Sequence, residues 1–301
     1  MALKLIFWKN NILNYGDLLS PYIIETLSGE QIVQKNYFVG NFNSHIYNLW
    51  RCLRHGDFRL HDRYLFPFEK NLVGIGSILY TGNSKSMIWG SGFMSDGEKC
   101  GGGDVYAVRG KYSLAMLKQQ QKDGLHITFH EPVVLGDPAL LLPWLIPASI
   151  DKRYKIGIIP HFSEYDYFRE KYGDQYQIIN LQSDDIEGVT NEITSCQYVL
   201  SSSLHGIIVA HAYGIPALWI EHTGLENYTK GFKFRDYFSA VGIDNYEPMR
   251  DLAQMLSSVD SICDTFSAMA HDALPTVDLD NLRRELLRVA PFHVFEKYKK
   301  L

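Results

Sequence analysis

Short apolar runs that stop at Gly, Ser, Pro or His recur along the chain, and stretches of helical period lie between them. The runs are Leu3–Trp8, Asn71–Ile75, Ser86–Trp89, Asp104–Val108, Lys155–Ile159, Gln177–Asn180, Tyr198–Leu200 and Ala217–Ile220. Apolar runs this short, bounded by turn residues, predict strands buried on both faces of a parallel sheet. Helical patterns cover Lys111–Gln121, Phe162–Tyr172, Ile186–Ser195 and Ile207–Ala212. Strand and helix in alternation predict an α/β fold with parallel sheets.

The alternation breaks at the proline-bearing stretch from Asp137 to Ala148 and restarts at Lys152. At 301 residues the chain is about twice the usual domain size. Two doubly wound domains facing a cleft are therefore expected, over residues 1–145 and 146–275. A charged amphipathic helical tail, 276–301, follows; such tails in two-domain cleft enzymes often pack back on the first domain.

Composition narrows the function. Hydrophobic residues make up 46% and charged residues 21%, which excludes a disordered or fibrous chain. A formal charge of −5 argues against duplex nucleic acid as the main ligand. Any anion must then be met by a local cluster of cations or backbone amides. The four cysteines (Cys52, Cys100, Cys196, Cys263) form no CxxC pair, and the 11 histidines form no HExxH or HxH pair. Neither a disulfide framework nor a metal site is indicated, and a reducing compartment fits. The opening MALKLIFWKNN lacks the length and cleavage site of a signal peptide, and Pro143 and Pro147 interrupt the longest apolar stretch, Ala139–Ile150. The expectation is a cytoplasmic protein that does not cross a membrane, though contact with its inner face is compatible with the sequence.

In open parallel sheets, ligands bind beyond the carboxyl ends of the strands. Those ends carry Asp17, Gly76-Ser77, Gly90-Ser91-Gly92, Arg109, His161, Ser201–His205 and Glu221-His222. Glycines and serines there leave backbone N–H groups uncovered, which suits a phosphate or carboxylate. None of these loops is a nucleotide fingerprint: Gly74-Ile75-Gly76 lacks the third glycine, and there is no GKS or GKT. The richest segment is Ser201-Ser202-Ser203-Leu204-His205-Gly206, between a buried strand and an apolar helix. It puts His205 near a helix N-terminus, where free amides and the macrodipole favour an anion. A capping serine and a core histidine would give the same pattern. Arg109, at a strand end, is placed either to grip a carboxylate or phosphate with paired hydrogen bonds or to make a salt bridge at the sheet edge. His161 opens the second domain and faces the same cleft, and Asp17 is either a reacting carboxylate or a helix N-cap. Two basic groups stand apart. One is Arg51, Arg54, His55, Arg59, His61 and Arg63 with Trp50, Phe58 and Tyr64, which is either a contact for acceptor phosphates or a solvated face. The other is Lys230, Lys233 and Arg235, a candidate to close over an anion.

Together these stretches resemble the polysaccharide pyruvyl transferase family. The matching residues are Asn14-Tyr15-Gly16-Asp17, Gly76-Ser77, Trp89-Gly90-Ser91-Gly92-Phe93, and Val108-Arg109-Gly110 with Ser113. They continue through Leu135-Gly136-Asp137-Pro138-Ala139, Ile158-Ile159-Pro160-His161, Ser203-Leu204-His205-Gly206, Tyr213-Gly214-Ile215-Pro216, and Lys233-Phe234 with Asp236-Tyr237. The matches run in order over about residues 10–240. The resemblance implies two Rossmann-like domains arranged as in GT-B glycosyltransferases. It also implies transfer of pyruvate from phosphoenolpyruvate to a sugar of a bacterial surface polysaccharide or its lipid-linked precursor, as a ketal. The donor is expected against the second domain, with His205 beside it. Many members carry Arg directly before Leu-His-Gly, where this chain has Ser203; either another cation, such as Arg109 or Lys233, supplies that charge, or the donor is held differently.

The implied chemistry needs a general acid and a base with pKa near neutral. His205 or His161 suits the acid, and Asp17 or Glu221 the base. Ser77, Ser91, Ser202, Ser203, Gly206, Arg109, Glu221 and Lys233 are the expected substrate-binding residues. Neither a metal nor a cofactor is called for, because phosphoenolpyruvate is itself the donor. Two alternatives remain on the sequence: a nucleotide-sugar glycosyltransferase with Glu221 on the ribose, and a catalytically silent subunit of a polysaccharide assembly system.

Overall fold

The computed structural model describes residues 2–8, 13–35, 46, 50, 54, 69–224, 229 and 231–301. Most of the basic group around Arg51–Arg63, and Lys230, lie outside these residues; Arg54 is described, with its guanidinium 5.0 Å from the Trp50 ring centroid. Among the described residues ten strands form two parallel sheets. The first holds β1 (Leu3–Ile6), β2 (Ile32–Lys35), β3 (Asn71–Val73), β4 (Ser86–Trp89), β5 (Gly103–Val108) and β6 (Ile127–Leu135), in the order β2-β1-β3-β4-β5-β6. The second holds β7 (Tyr154–Ile159), β8 (Gln177–Ile178), β9 (Cys196–Ser201) and β10 (Ala217–Trp219), in the order β10-β9-β7-β8. The α/β class with parallel sheets therefore holds.

Each strand order reverses once. In the first sheet the chain leaves β1 toward β2 and β3 toward β4, in opposite directions, which opens a crevice between β1 and β3. In the second sheet the same reversal lies between β7 and β9. Such switch points are where doubly wound sheets bind ligands. The segments that follow these four strands are Asn14–Asp17, Gly76-Ser77, His161 and Ser201–His205.

The helices among the described residues are α1 (Tyr15–Ser28), α2 (Lys111–Lys122), α3 (Tyr165–Tyr172), α4 (Ile186–Thr194), α5 (Leu204–Ala212), α6 (Phe232–Val241), α7 (Leu252–Met255), α8 (Val259–Ala268), α9 (Leu279–Arg288) and α10 (Glu296–Lys299). Helix α5 is buried nearly all round, so its sequence shows no amphipathic stripe. The stretch where the strand and helix alternation breaks holds a 3-10 turn, Pro138–Trp144, with Ala139, Leu140, Leu141 and Leu142 fully buried. Asp137 opens it, accepting from the Ala139 amide at 2.9 Å. One continuous apolar cluster joins Leu5, Leu19 and Trp89 of the first half to Ile159, Val199 and Ile207 of the second. The tail adds Leu286 and Val294 to the same cluster. Trp89 Nε1 donates to the Leu286 carbonyl at 2.9 Å, and the Phe295 amide donates to Leu27 at 2.9 Å. Arg283 reaches the carbonyls of Leu140 and Ala212 at 2.7 and 2.5 Å, tying the tail to both halves. No helix among the described residues is long and apolar enough to cross a membrane.

Candidate functional site

The two switch points meet. Helix α1 starts at the first and α5 at the second, and His205 in the first turn of α5 lies against Gly16 in the first turn of α1. A Cβ built on Gly16 would fall 2.2 Å from His205 Nδ1, so any side chain there would displace the ring. Asn14 is the N-cap of α1, its side chain accepting from the Gly16 amide at 3.1 Å. Capping is therefore not the work of Asp17, which sits in the first turn. Burial pushes the Asp17 carboxyl up to about 6, against a hydrogen bond from Asn14 that lowers it. His205 Nε2 is sealed from solvent and has no hydrogen-bond partner among the described residues. Burial, with the charges of Arg109 and Lys233, holds His205 down to about 3, so the ring is neutral at pH 7. Ser203 occupies the N-cap position of α5 without a side-chain cap bond; its amide donates to Ser201 Oγ at 3.0 Å.

Arg109 stands at the end of β5 and is fully buried rather than turned to a ligand. Its Nε donates to Asp236 Oδ2 at 3.0 Å, one terminal nitrogen to Ser77 Oγ at 2.6 Å, and the other to the Phe93 carbonyl at 2.5 Å. The guanidinium lies across Gly92, where a Cβ would fall 2.4 Å from its Cζ. Asp236, on α6, is also fully buried and takes the amide and hydroxyl of Ser113 at 2.8 and 2.6 Å. This ion pair fastens α6 to the ends of β4 and β5. It is a buried pair across the two halves, neither a ligand clamp nor a sheet-edge bridge. Arg109 still acts on His205 through its charge.

The second crevice has an organiser that the sequence reading did not name. Glu164, 2% exposed, accepts from Ser202 Oγ at 2.5 Å and from the amide and hydroxyl of Thr223 at 3.0 and 2.6 Å. Ser202 Oγ in turn accepts from the His161 amide at 2.8 Å. One carboxylate thus sets the loops after β7, β9 and β10. Its signal in the sequence is weak: a glutamate three residues after His161, the N-cap of a 3-10 turn (Phe162–Glu164), in the spacing of a capping box. His161 Nδ1 pairs with Ser163 Oγ at 2.8 Å, and its ring packs on Phe162 with centroids 4.2 Å apart.

Other expected residues have local work. Ser91 is buried, donates to the Gly76 carbonyl at 2.8 Å and accepts from the Ile78 amide at 3.4 Å, which ties two strand ends together. Gly206 allows close packing, because a Cβ there would fall 2.4 Å from Ser201 Oγ. Glu221 is buried and bound by Arg250 Nε at 2.6 Å. Lys233 Nζ lies 5.3 Å from the Phe234 ring centroid and close enough to His205 to act on its charge. Among the described residues no three His, Cys, Asp or Glu side chains are grouped to hold a metal ion. The centre is thus a neutral imidazole whose buried Nε2 is unpaired among the described residues, two cations within electrostatic reach and a carboxyl of raised pKa one residue from the glycine it rests on. The cations favour an anion, and Asp17 offers a carboxyl that exchanges its proton near pH 6.

The family model for polysaccharide pyruvyl transferase matches residues 14–224, from the α1 cap to just past the Thr223 loop. An uncharacterized protein of Acanthamoeba polyphaga mimivirus is 33% identical over 288 residues, covering 91% of this chain and 86% of that protein. No solved structure matches. The chain belongs to the polysaccharide pyruvyl transferase family.

Proposed function

From that membership we propose that the protein moves pyruvate from phosphoenolpyruvate onto two hydroxyls of a sugar in a surface polysaccharide or its lipid-linked precursor, releasing phosphate. The two halves act as the Rossmann-like domains of a GT-B arrangement, with the donor against the second. The observation that carries this reading is the pairing of the two sheet switch points through His205 and Gly16, with the cations Arg109 and Lys233 acting on that histidine.

His205 is neutral until an anion arrives. A phosphate or carboxylate seated by Nε2 offsets the charges that depress it and restores the imidazolium. That imidazolium gives its proton to the methylene carbon of phosphoenolpyruvate, leaving an oxocarbenium-like centre at C2. A sugar hydroxyl adds at C2 and loses its proton to a base, for which Asp17 is suited by its raised pKa. The C2–O bond to phosphate breaks, the phosphate taking the electron pair, and a second hydroxyl adds to close the ketal as its proton leaves. The amides at the start of α5 and the Ser203 hydroxyl face the leaving charge in place of the arginine that many relatives carry. In the glycosyltransferase alternative the ribose would fall to Glu221, which is buried and bound by Arg250.

The test is thermal unfolding with phosphoenolpyruvate, with pyruvate plus phosphate, and with a panel of nucleotide sugars. Ligand at a hundred times its Kd adds about 2.7 kcal/mol. At about 2.1 cal/mol/K of unfolding entropy per residue, that is a rise of about 4 °C. The expected result is a rise with phosphoenolpyruvate that disappears in His205→Ala. A rise with a nucleotide sugar alone would overturn the donor assignment.

A further inference from the structure

Helix α6 has a second side. Lys233 acts on His205 and Asp236 holds Arg109, whereas Phe232 and Arg235 line a separate groove of about 790 Å³. Tyr112 and Met116 of α2 form its other wall, and Asp96 and Asn245 bound it. One wall follows directly from Arg109 and the other carries Asp236, so the groove lies across both halves with the buried ion pair beside it. Its size is that of a site for a ligand of several rings.

The lining selects the ligand. The Tyr112 ring is 39% exposed, and Phe232 lies 6.2 Å from it at a 56° tilt, giving the groove an aromatic floor that Met116 extends. The C–H face of a pyranose stacks on such a surface. Asp96 accepts hydrogen bonds, Arg235 donates them, and Asn245 does both. Asn245 Nδ2 also donates to the Tyr112 hydroxyl at 2.5 Å, which fixes the ring in place. The charges are one acid and one base, and Arg235 is shared with Glu247 at 3.5 Å. Among the described lining residues there is no surplus positive charge to hold a phosphate or a polyanion. Aromatic floor, mixed donors and acceptors, and balanced charge together describe a neutral sugar chain.

We propose that this groove is a binding site for a neutral oligosaccharide stretch of the acceptor, distinct from the reaction centre at His205. The assignment rests on the transferase reading for its biological sense but is testable apart from it. The probes are linear gluco-, galacto- and manno-oligosaccharides of three to six rings, with sulfated counterparts, measured by calorimetry on the full chain. The expected result is that one neutral series binds more tightly as rings are added. Tyr112→Ala weakens that binding at least tenfold, Tyr112→Phe restores most of it, and His205→Ala leaves it unchanged. Binding by none of the probes, preference for the sulfated forms, or binding by Tyr112→Ala and Arg235→Ala as tight as by the wild type would overturn the assignment. If the groove variants bind as the wild type while phosphoenolpyruvate still stabilises the protein through His205, the groove assignment alone fails. If binding depends on Tyr112 but phosphoenolpyruvate has no effect, the donor reading alone fails.

Discussion

Replacing Asp236 by alanine removes the counter-ion of a fully buried arginine. Arg109 is left with Ser77 and the Phe93 carbonyl, and Ser113 loses the acceptor for both its amide and its hydroxyl. Breaking a buried ion pair from one side costs about 3–5 kcal/mol, because the remaining charge stays out of water. Unfolding 301 residues at about 2.1 cal/mol/K each gives about 0.63 kcal/mol per degree. Asp236→Ala should therefore melt about 5–8 °C below the wild type, in one transition, since a single apolar cluster spans both sheets. The readout is circular dichroism with heating, supported by urea unfolding. The double variant Arg109→Met/Asp236→Leu keeps the volume without the charges and should recover at least half of the loss. A melting point for Asp236→Ala within about 1 °C of the wild type would refute the argument. So would a double variant no more stable than the single one.

Gly16→Ala puts a methyl group where His205 Nδ1 stands, and a displacement of about 1 Å at a reacting group costs on the order of 100-fold in rate; phosphate release from phosphoenolpyruvate should fall by that amount while the fold survives, and full activity would contradict the geometry. The pH dependence of stability is a balance. His205 and His211 are held down, mainly by burial, to about 3 and about 4, so the unfolded chain binds more protons and the stability they give is lost as pH falls below about 6.5. Asp17 and Asp137 are raised by burial to about 6, so the stability they give is lost as pH rises from about 4 through 6. Between pH 4 and 6 the two pairs oppose each other and the wild type should change little. Asp137→Asn removes one opposing group, and its urea midpoint should climb between pH 4.5 and 5.5, with a slope up to about 1.4 kcal/mol per pH unit steeper than the wild type; identical slopes would defeat the assignment. Glu164→Gln keeps one acceptor oxygen, whereas Glu164→Ala orphans Ser202 and Thr223. The alanine variant should lose about 2–4 kcal/mol, with the glutamine variant losing less than half of that, and equal losses would show that the carboxylate does not organise the three loops.

Much of the scaffold is legible in the chain, because fully buried strands leave compact apolar runs that end in turn residues. Ser86–Trp89 and Ala217–Trp219 fall where that signal places them. Strand β6 does not carry it: Ile127–Leu135 sits at the edge of its sheet with half its side chains exposed, and it contains Pro132. Strand β2, Ile32–Lys35, is only four residues long and mixed in character, so it leaves no apolar run to read. The position of His205 at a helix start is legible from Ser201–Gly206. What it rests on is not, since the contact with Gly16 joins residues far apart in sequence. The same limit explains Arg109: a strand-end arginine looks alike whether it meets a ligand or Asp236, and only the packing of α6 decides. Pro138–Trp144 shows in the sequence only as a break in the alternation; a 3-10 turn accommodates its prolines, and its leucines belong to the shared core.

The way the tail is built in bears on how the protein is made. The Trp89 indole donates to a carbonyl in α9, the end of α1 receives its last amide from Phe295, and Arg283 joins Leu140 to Ala212. During synthesis the first six-stranded sheet emerges from the ribosome long before any of these partners exist. Its Trp89 and the carbonyl of Leu27 must wait, solvated or held by a chaperone, until the segment that carries Leu286 and Phe295 is released. Contacts of such long sequence separation close slowly and leave apolar surface open in the meantime. A nascent chain stalled before α9 is thus a half-closed molecule.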